Sequence, residues 1–155
     1  MSSSRTRPGR LSDVARHLVL PDGLASTEWP SIQKRARQMG VRFDQWQADL
    51  VRGALGKRED GKYAATVGGV VWSIPRQVGK TFTVGSLLFA YAIEHPGSLI
   101  LWTAHHLLTA GETFRSMQSF AAKPRVAPYV ENVYTGAGTW AVHFKNGSRI
   151  LFGSR

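Results

Sequence analysis

Residues 74–81 read Ile-Pro-Arg-Gln-Val-Gly-Lys-Thr, and no other stretch of this 155-residue chain has such definite chemistry. A glycine, a lysine and a threonine in succession suit an anion. The glycine allows a tight turn, the lysine brings a point charge, and the hydroxyl is a hard oxygen ligand for a divalent cation. The apolar run Val70, Val71 and Trp72 lies just ahead, and a long apolar stretch follows from Phe82 to Ile93. A strand that ends in a tight turn and opens a helix aims several backbone N–H groups at one spot, where the positive end of the helix dipole adds to them. The expected ligand is ATP with Mg2+. Lys80 would meet the β- and γ-phosphates and Thr81 the metal, with Pro75, Arg76, Gln77, Val78 and Gly79 forming the loop that binds the nucleotide.

The complete phosphate-loop pattern carries a glycine five residues before Gly79, where this chain has Ile74, so the Gly-Lys-Thr half alone is met. Gly56-Lys57 and Gly61-Lys62 run into Arg58 and Tyr63 in a polar, turn-rich stretch and read as loops. The plain alternative for residues 79–81 is an ordinary helix start with a solvated lysine. A strand ahead and an apolar helix behind favour the phosphate reading.

The elements that must position this loop follow from periodicity. Residues 43–55 place Trp46, Leu50, Val51, Ala54 and Leu55 on one helical face, with Gly56 as a stop. A polar turn, a strand over 70–74 and a helix over 80–94, apolar nearly all round and ended before Pro96, come next. A strand over 98–103 precedes a helix whose stripe is Leu107, Ala110, Phe114, Met117 and Ala121. Trp140, Val142 and Phe144 alternate, Asn146-Gly147 supplies a two-residue turn, and Ile150 and Phe152 resume, which predicts a β-hairpin. Strand, helix, strand, helix implies an α/β fold: a parallel sheet with flanking helices, closed by the hairpin. The first ten residues read as disordered, and the stretch through Pro21, Gly23 and Pro30 as an irregular arm with short helical pieces. The expected division is therefore a flexible basic arm over 1–40 and one domain over 41–155.

Composition narrows the class. A hydrophobic content of 43% with 19% charged residues is that of an ordinary globular protein. The absence of cysteine excludes disulfides, thiolate chemistry and cysteine-based zinc sites. The apolar runs are too short or interrupted to cross a bilayer, and the first residues lack the apolar core of a signal peptide, so the expectation is a soluble protein that is not secreted. A formal charge of +10 favours polyanionic partners, with nucleic acid the natural candidate. Much of the excess lies early, from Arg5 to Arg42, where a solvated lead-in is the alternative. Five tryptophans fall mostly on predicted strands and helix faces and read as core; the adjacent His105 and His106 make a poor metal site.

Cleaving ATP takes a carboxylate at the end of a buried strand to hold magnesium, and a second to position water. After Lys80 the acidic residues are Glu94, Glu112 and Glu131, expected at a helix end, on a helix and in a loop, and no aspartate follows Asp60. The chain is therefore expected to bind the triphosphate and to hydrolyse it poorly, as part of an enzyme.

Residues 76–81, Arg-Gln-Val-Gly-Lys-Thr with a non-glycine at the first motif position, resemble the divergent phosphate loop of the large terminase subunits of tailed bacteriophages. Phe43-Asp44-Gln45-Trp46-Gln47 looks like that family's adenine-reading motif, whose glutamine amide both donates to and accepts from the adenine edge. Leu101-Trp102-Thr103-Ala104 and the hairpin with its Asn-Gly-Ser turn are similar to the segments ahead of the family's acidic motif. The likeness runs from about residue 41 to the last residue. It implies a P-loop NTPase (RecA/ASCE-like) core, incomplete here and ending before the Walker B acidic strand. It also implies a DNA-packaging motor with a C-terminal nuclease, which hydrolyses ATP to drive double-stranded DNA into a procapsid. Lys80 and Arg76 would be the catalytic cations, Arg76 stabilising the γ-phosphate, and Gln47 would read adenine. The implied partners are the remaining half of the large subunit, the small subunit and the portal protein, in a ring of copies without membrane contact, in the cytoplasm of the infected host. The alternatives are a fragment of a helicase-like remodelling ATPase and a non-catalytic module that binds nucleotide or DNA.

Overall fold

A helical apolar stripe and an alternating one meet in the centre of this protein, whose computed structural model describes residues 9–66, 68–136 and 139–154. The chain forms two compact units, one of Met1–Ser31 and Arg42–Val78, the other of Ile32–Val41 and Gly79–Arg155.

The second unit holds helices α4 (Lys80–Glu94) and α5 (Leu107–Ala121) and a sheet of strands β3 (Leu99–Ala104), β4 (Val130–Tyr134), β5 (Ala141–Phe144) and β6 (Arg149–Ser154). The strand order is β3-β6-β5-β4, with β3 parallel to β6 and the other pairs antiparallel. Alternation sends Val142, Phe144, Ile150 and Phe152 to one face, where all are buried. The two helices cover that face: Phe89 of α4 meets Phe144 edge-on at 5.3 Å and Phe120 of α5 at 4.9 Å, while Phe114 meets Phe152 at 5.3 Å. Such edge-to-face pairs add to the gain from burying the rings. α4 and α5 approach closely because Gly85 has no side chain; a Cβ there would lie 2.4 Å from the sulfur of Met117.

Helix α2 (Trp29–Gln38) contributes Ile32 and Ala36 to the second unit's core. Its Arg35 donates to the Glu94 carboxylate at 2.5 Å and to the Tyr129 hydroxyl at 2.9 Å. Burial alone would lower the basicity of Arg35, but the hydrogen bond and charge of Glu94, with Tyr129, outweigh it and raise the pKa. At the far end of α4 the hairpin turn acts as a cap. The Asn146 amide donates to the carbonyls of Ala92 at 2.8 Å and Ile93 at 3.0 Å, and the Ser148 hydroxyl to that of His95 at 2.8 Å. These are carbonyls that a helix end leaves without an intrahelical donor.

In the first unit, the short helix α1 (Leu11–Val14) packs by helix α3 (Gln45–Ala54), and β1 (Ser26–Thr27) pairs antiparallel with β2 (Gly56–Lys57). Glu28 ties this ribbon together, accepting from the Tyr63 hydroxyl and pairing with the Lys57 ammonium at 2.8 Å. Trp29 is buried with its ring edge-on to Phe43 at 5.5 Å.

Several expectations meet their elements. The helices over 80–94 and 107–121 and the hairpin stand where periodicity puts them, and the fold is α/β with a mixed parallel and antiparallel sheet. Others need correction. Residues 70–74 form no strand: Val70 is 48% and Val71 87% exposed, and no strand pairs with them among the described residues. An apolar run becomes a buried strand only where neighbours satisfy its backbone. Parallel pairing is limited to β3 and β6, because β4 and β5 join them through antiparallel ladders. Glu131 lies in β4, not in a loop, and Gly56-Lys57 is a two-residue strand. Pro30 sits in the first turn of α2, where its missing N–H costs no intrahelical bond, so it starts a ten-residue helix in place of an irregular arm. The disorder expected over the first residues lies, for 1–8, outside the described residues.

Candidate phosphate-binding site

In the second unit, α4 starts on Gly79, whose φ of 87° and ψ of 24° are left-handed, a conformation glycine takes at little steric cost. Its carbonyl accepts from both the backbone N–H and the hydroxyl of Thr83, each at 2.9 Å, which closes the first turn. Lys80 and Thr81 are exposed in that turn, while Thr83 is buried beneath it. The first N–H groups of a helix lie outside its own ladder and point along the axis, so the turn presents donors, a dipole end, an ammonium group and a hydroxyl together. The connection from His95 to Ser98 is short and α4 lies on β3, so the helix start and the carboxyl ends of the parallel strands β3 and β6 share one end of this unit. That is the end at which α/β sheets take their ligands.

In the first unit, Pro75, Arg76, Gln77 and Val78 are all exposed. Gln77 has a φ of 63°, and it is the one non-glycine residue with a positive φ among the described residues. Side chains rarely accept that conformation, at a cost of order 1–3 kcal/mol, and it clusters at ligand clamps. Left-handed residues in a turn rotate successive N–H groups toward a common side, the geometry of anion-binding nests.

No protein-family model matches this chain. Neither a curated protein nor a solved structure matches it.

Gln47 stands in a different setting from the one its sequence position implied. It is 5% exposed, on the inward face of α3, and closes a capping box with Asp44: its Oε1 accepts the Asp44 backbone N–H at 2.9 Å. The buried face of α3 centres on Gln47, Ala48 and Val51, rotated from the expected stripe, with Trp46 and Leu50 half-buried.

The residues present suit a polyphosphate, with Gly79, Lys80 and Thr81 on one helical turn. They suit the metal less well. Thr81 offers one oxygen, and among the described residues no carboxylate stands at the ends of β3 or β6, which finish in Thr103-Ala104 and Gly153-Ser154. Glu94 is held by Arg35 at the opposite end of α4. Among the described residues, no group of three or more His, Asp or Glu side chains could hold a metal ion. No helix of the described residues is long and apolar enough to cross a membrane. Two contributors escaped the sequence reading: Thr83, whose hydroxyl locks the helix start, and the Asn146–Ser148 turn, which anchors the other end. A Ser or Thr four residues after a left-handed glycine was the available signal for the first.

Proposed function

We propose that this chain is the nucleotide-binding portion of a double-stranded DNA packaging motor of the large-terminase kind, with a P-loop NTPase core of the RecA/ASCE type. The observation that carries the proposal is the start of α4, where left-handed Gly79 leads directly into exposed Lys80 and Thr81. A helix start with free N–H groups and a lysine beside them supports the reading, because it suits phosphate oxygens.

Backbone amides at the start of α4 bind the phosphate oxygens and the Lys80 ammonium neutralises the β- and γ-phosphates; the resemblance assigns the γ-phosphate to Arg76, whose planar fork suits phosphate oxygens. Thr81 would offer one oxygen to Mg2+, and the ion would supply charge neutralisation to the triphosphate. In this reading the chain supplies the nucleotide-binding residues, and the carboxylates for cleavage come from the remaining half of the large subunit. The small subunit, the portal and double-stranded DNA complete the motor, which works as a ring in the cytoplasm of the infected host. A formal charge of +10 supports the DNA partner.

The test is nucleotide-dependent thermal stabilisation. At a Mg-ATP concentration a hundred times the dissociation constant, ligand binding adds about 2.7 kcal/mol to stability. The wild-type melting temperature rises accordingly, and Lys80→Ala loses the rise while melting normally without ligand. A Lys80→Ala protein stabilised as much as wild type would overturn the assignment.

A further inference from the structure

The surplus of positive charge is not spread evenly over the chain. The first unit holds ten Lys and Arg against seven Asp and Glu, and the second ten against three, so seven of the ten net charges fall on the second unit. Its carboxylates are Glu94, held by Arg35, Glu112 within α5 and Glu131 on β4.

Five of the cations gather on one surface. α2 ends in two hydrogen bonds, from the Gly40 N–H to the Arg37 carbonyl at 3.0 Å and from the Val41 N–H to that of Ala36 at 2.8 Å, with Gly40 at a φ of 81°. This is the glycine stop that satisfies the last carbonyls of a helix. Because Gly40 has no side chain, the stem of Arg125 lies against it: a Cβ there would be 3.3 Å from the Arg125 Cδ. Lys34 and Arg37, three positions apart, share the outer side of α2. Lys123 stands over the Phe120 ring at 5.1 Å, two residues before Arg125. The Lys145 N–H donates at 3.0 Å to the carbonyl of Tyr129, the residue whose ring lies under Arg35 at 5.1 Å. Lys34, Arg37, Lys123, Arg125 and Lys145 are all exposed, and no ion pair engages any of them among the described residues. Residues 32–41, 122–130 and 141–149, which carry them, contain no Asp or Glu. A solvated face commonly mixes both signs. This one is also fixed in place, since Arg35 fastens α2 to Glu94 and Tyr129 through hydrogen bonds of 2.5 and 2.9 Å.

We propose that this surface, formed by α2, the turn at 123–125 and Lys145, seats the phosphate backbone of duplex DNA without reading its sequence. The choice of duplex DNA rests on the motor reading, and a motor that moves DNA of any sequence requires contacts of this kind. Phosphate contacts position a protein on the duplex and carry no sequence information. Five such contacts predict that the logarithm of affinity falls with the logarithm of salt concentration with a slope of about −4.5. Each contact removed lowers the slope by about 0.9, which at about 0.1 M salt is roughly eightfold in affinity.

The test is fluorescence anisotropy of the full chain with labelled duplexes of two unrelated sequences over a range of salt concentrations. The wild type should bind both equally and with the steep slope. Arg37→Ala combined with Arg125→Ala, two changes at exposed positions, should lose about 1.8 of that slope and keep the Mg-ATP stabilisation. Arg37→Lys combined with Arg125→Lys preserves the charge and should retain the slope. Changing Arg5, Arg7 and Arg10 together to Ala, which removes three early charges, should leave it as it is. An unchanged slope in the Arg37→Ala, Arg125→Ala protein, or a slope lost with the early arginines, would put the polyanion elsewhere and overturn the proposal. So would tighter binding of polyglutamate than of duplex DNA. A wild type that Mg-ATP stabilises but that binds neither duplex at low salt overturns this surface and leaves the nucleotide reading intact. Slopes as expected without Mg-ATP stabilisation support the surface and count against the nucleotide reading alone.

Discussion

Gln47 offers the sharpest separation of two roles, because its structural duty and its proposed adenine contact depend on different atoms of one amide. The structural duty is acceptance: Oε1 takes the Asp44 N–H at the start of α3, in a side chain that is 5% exposed. Losing such a cap costs about 1–2 kcal/mol. For a chain of this size each kcal/mol moves the melting temperature by roughly 2–4 °C, so Gln47→Ala should melt about 2–8 °C lower without nucleotide. Gln47→Glu retains the acceptor, and glutamate is the common partner in a capping box, favoured by the helix dipole. The Glu variant should therefore lie within about 1 kcal/mol of wild type, although it pays for burying a charge near Asp44. Adenine reading needs the amide donor as well, which glutamate lacks. Calorimetry of wild type, Gln47→Ala and Gln47→Glu, each without nucleotide and with Mg-ATP or Mg-GTP, measures both effects. If Gln47→Glu is as unstable as Gln47→Ala, the cap is not what Gln47 supplies. If Gln47→Glu still prefers ATP to GTP, adenine is read elsewhere.

Gly79→Ala places a Cβ on a backbone at φ 87°, and should cost about 1–2 kcal/mol of stability and weaken Mg-ATP stabilisation, both visible in the same melts. Asn146→Ala removes two hydrogen bonds to the end of α4 and one from the Ser148 N–H at 3.1 Å, so urea unfolding should show a loss of about 2–3 kcal/mol with an unchanged denaturant slope.

Elements with a long, self-contained pattern were legible in the sequence. α4 and α5 bury a face over fifteen residues each, and the hairpin announces itself by alternation on both sides of Asn146-Gly147. What depended on tertiary partners was not. The run at 70–74 has strand composition but no neighbouring strand among the described residues, and β4 shows no alternation because its irregular edge position keeps most of it exposed. The residues of the candidate phosphate loop stood out by type and spacing, and a left-handed backbone could be anticipated at Gly79 but not at Gln77. The capping duty of Gln47 was not legible, because one short motif, an aromatic with a glutamine three residues after aspartate, suits both nucleotide recognition and helix capping.

The turn at Asn146–Ser148 makes α4 a late structure on the ribosome. Its amide reaches back to a carbonyl 54 positions earlier in the chain. At roughly 5–20 residues per second, that distance means about 3–10 seconds of synthesis between the emergence of the helix end and the arrival of its clasp. During that interval a largely apolar segment, meant to lie under a sheet that does not yet exist, is exposed to whatever chaperones the nascent chain.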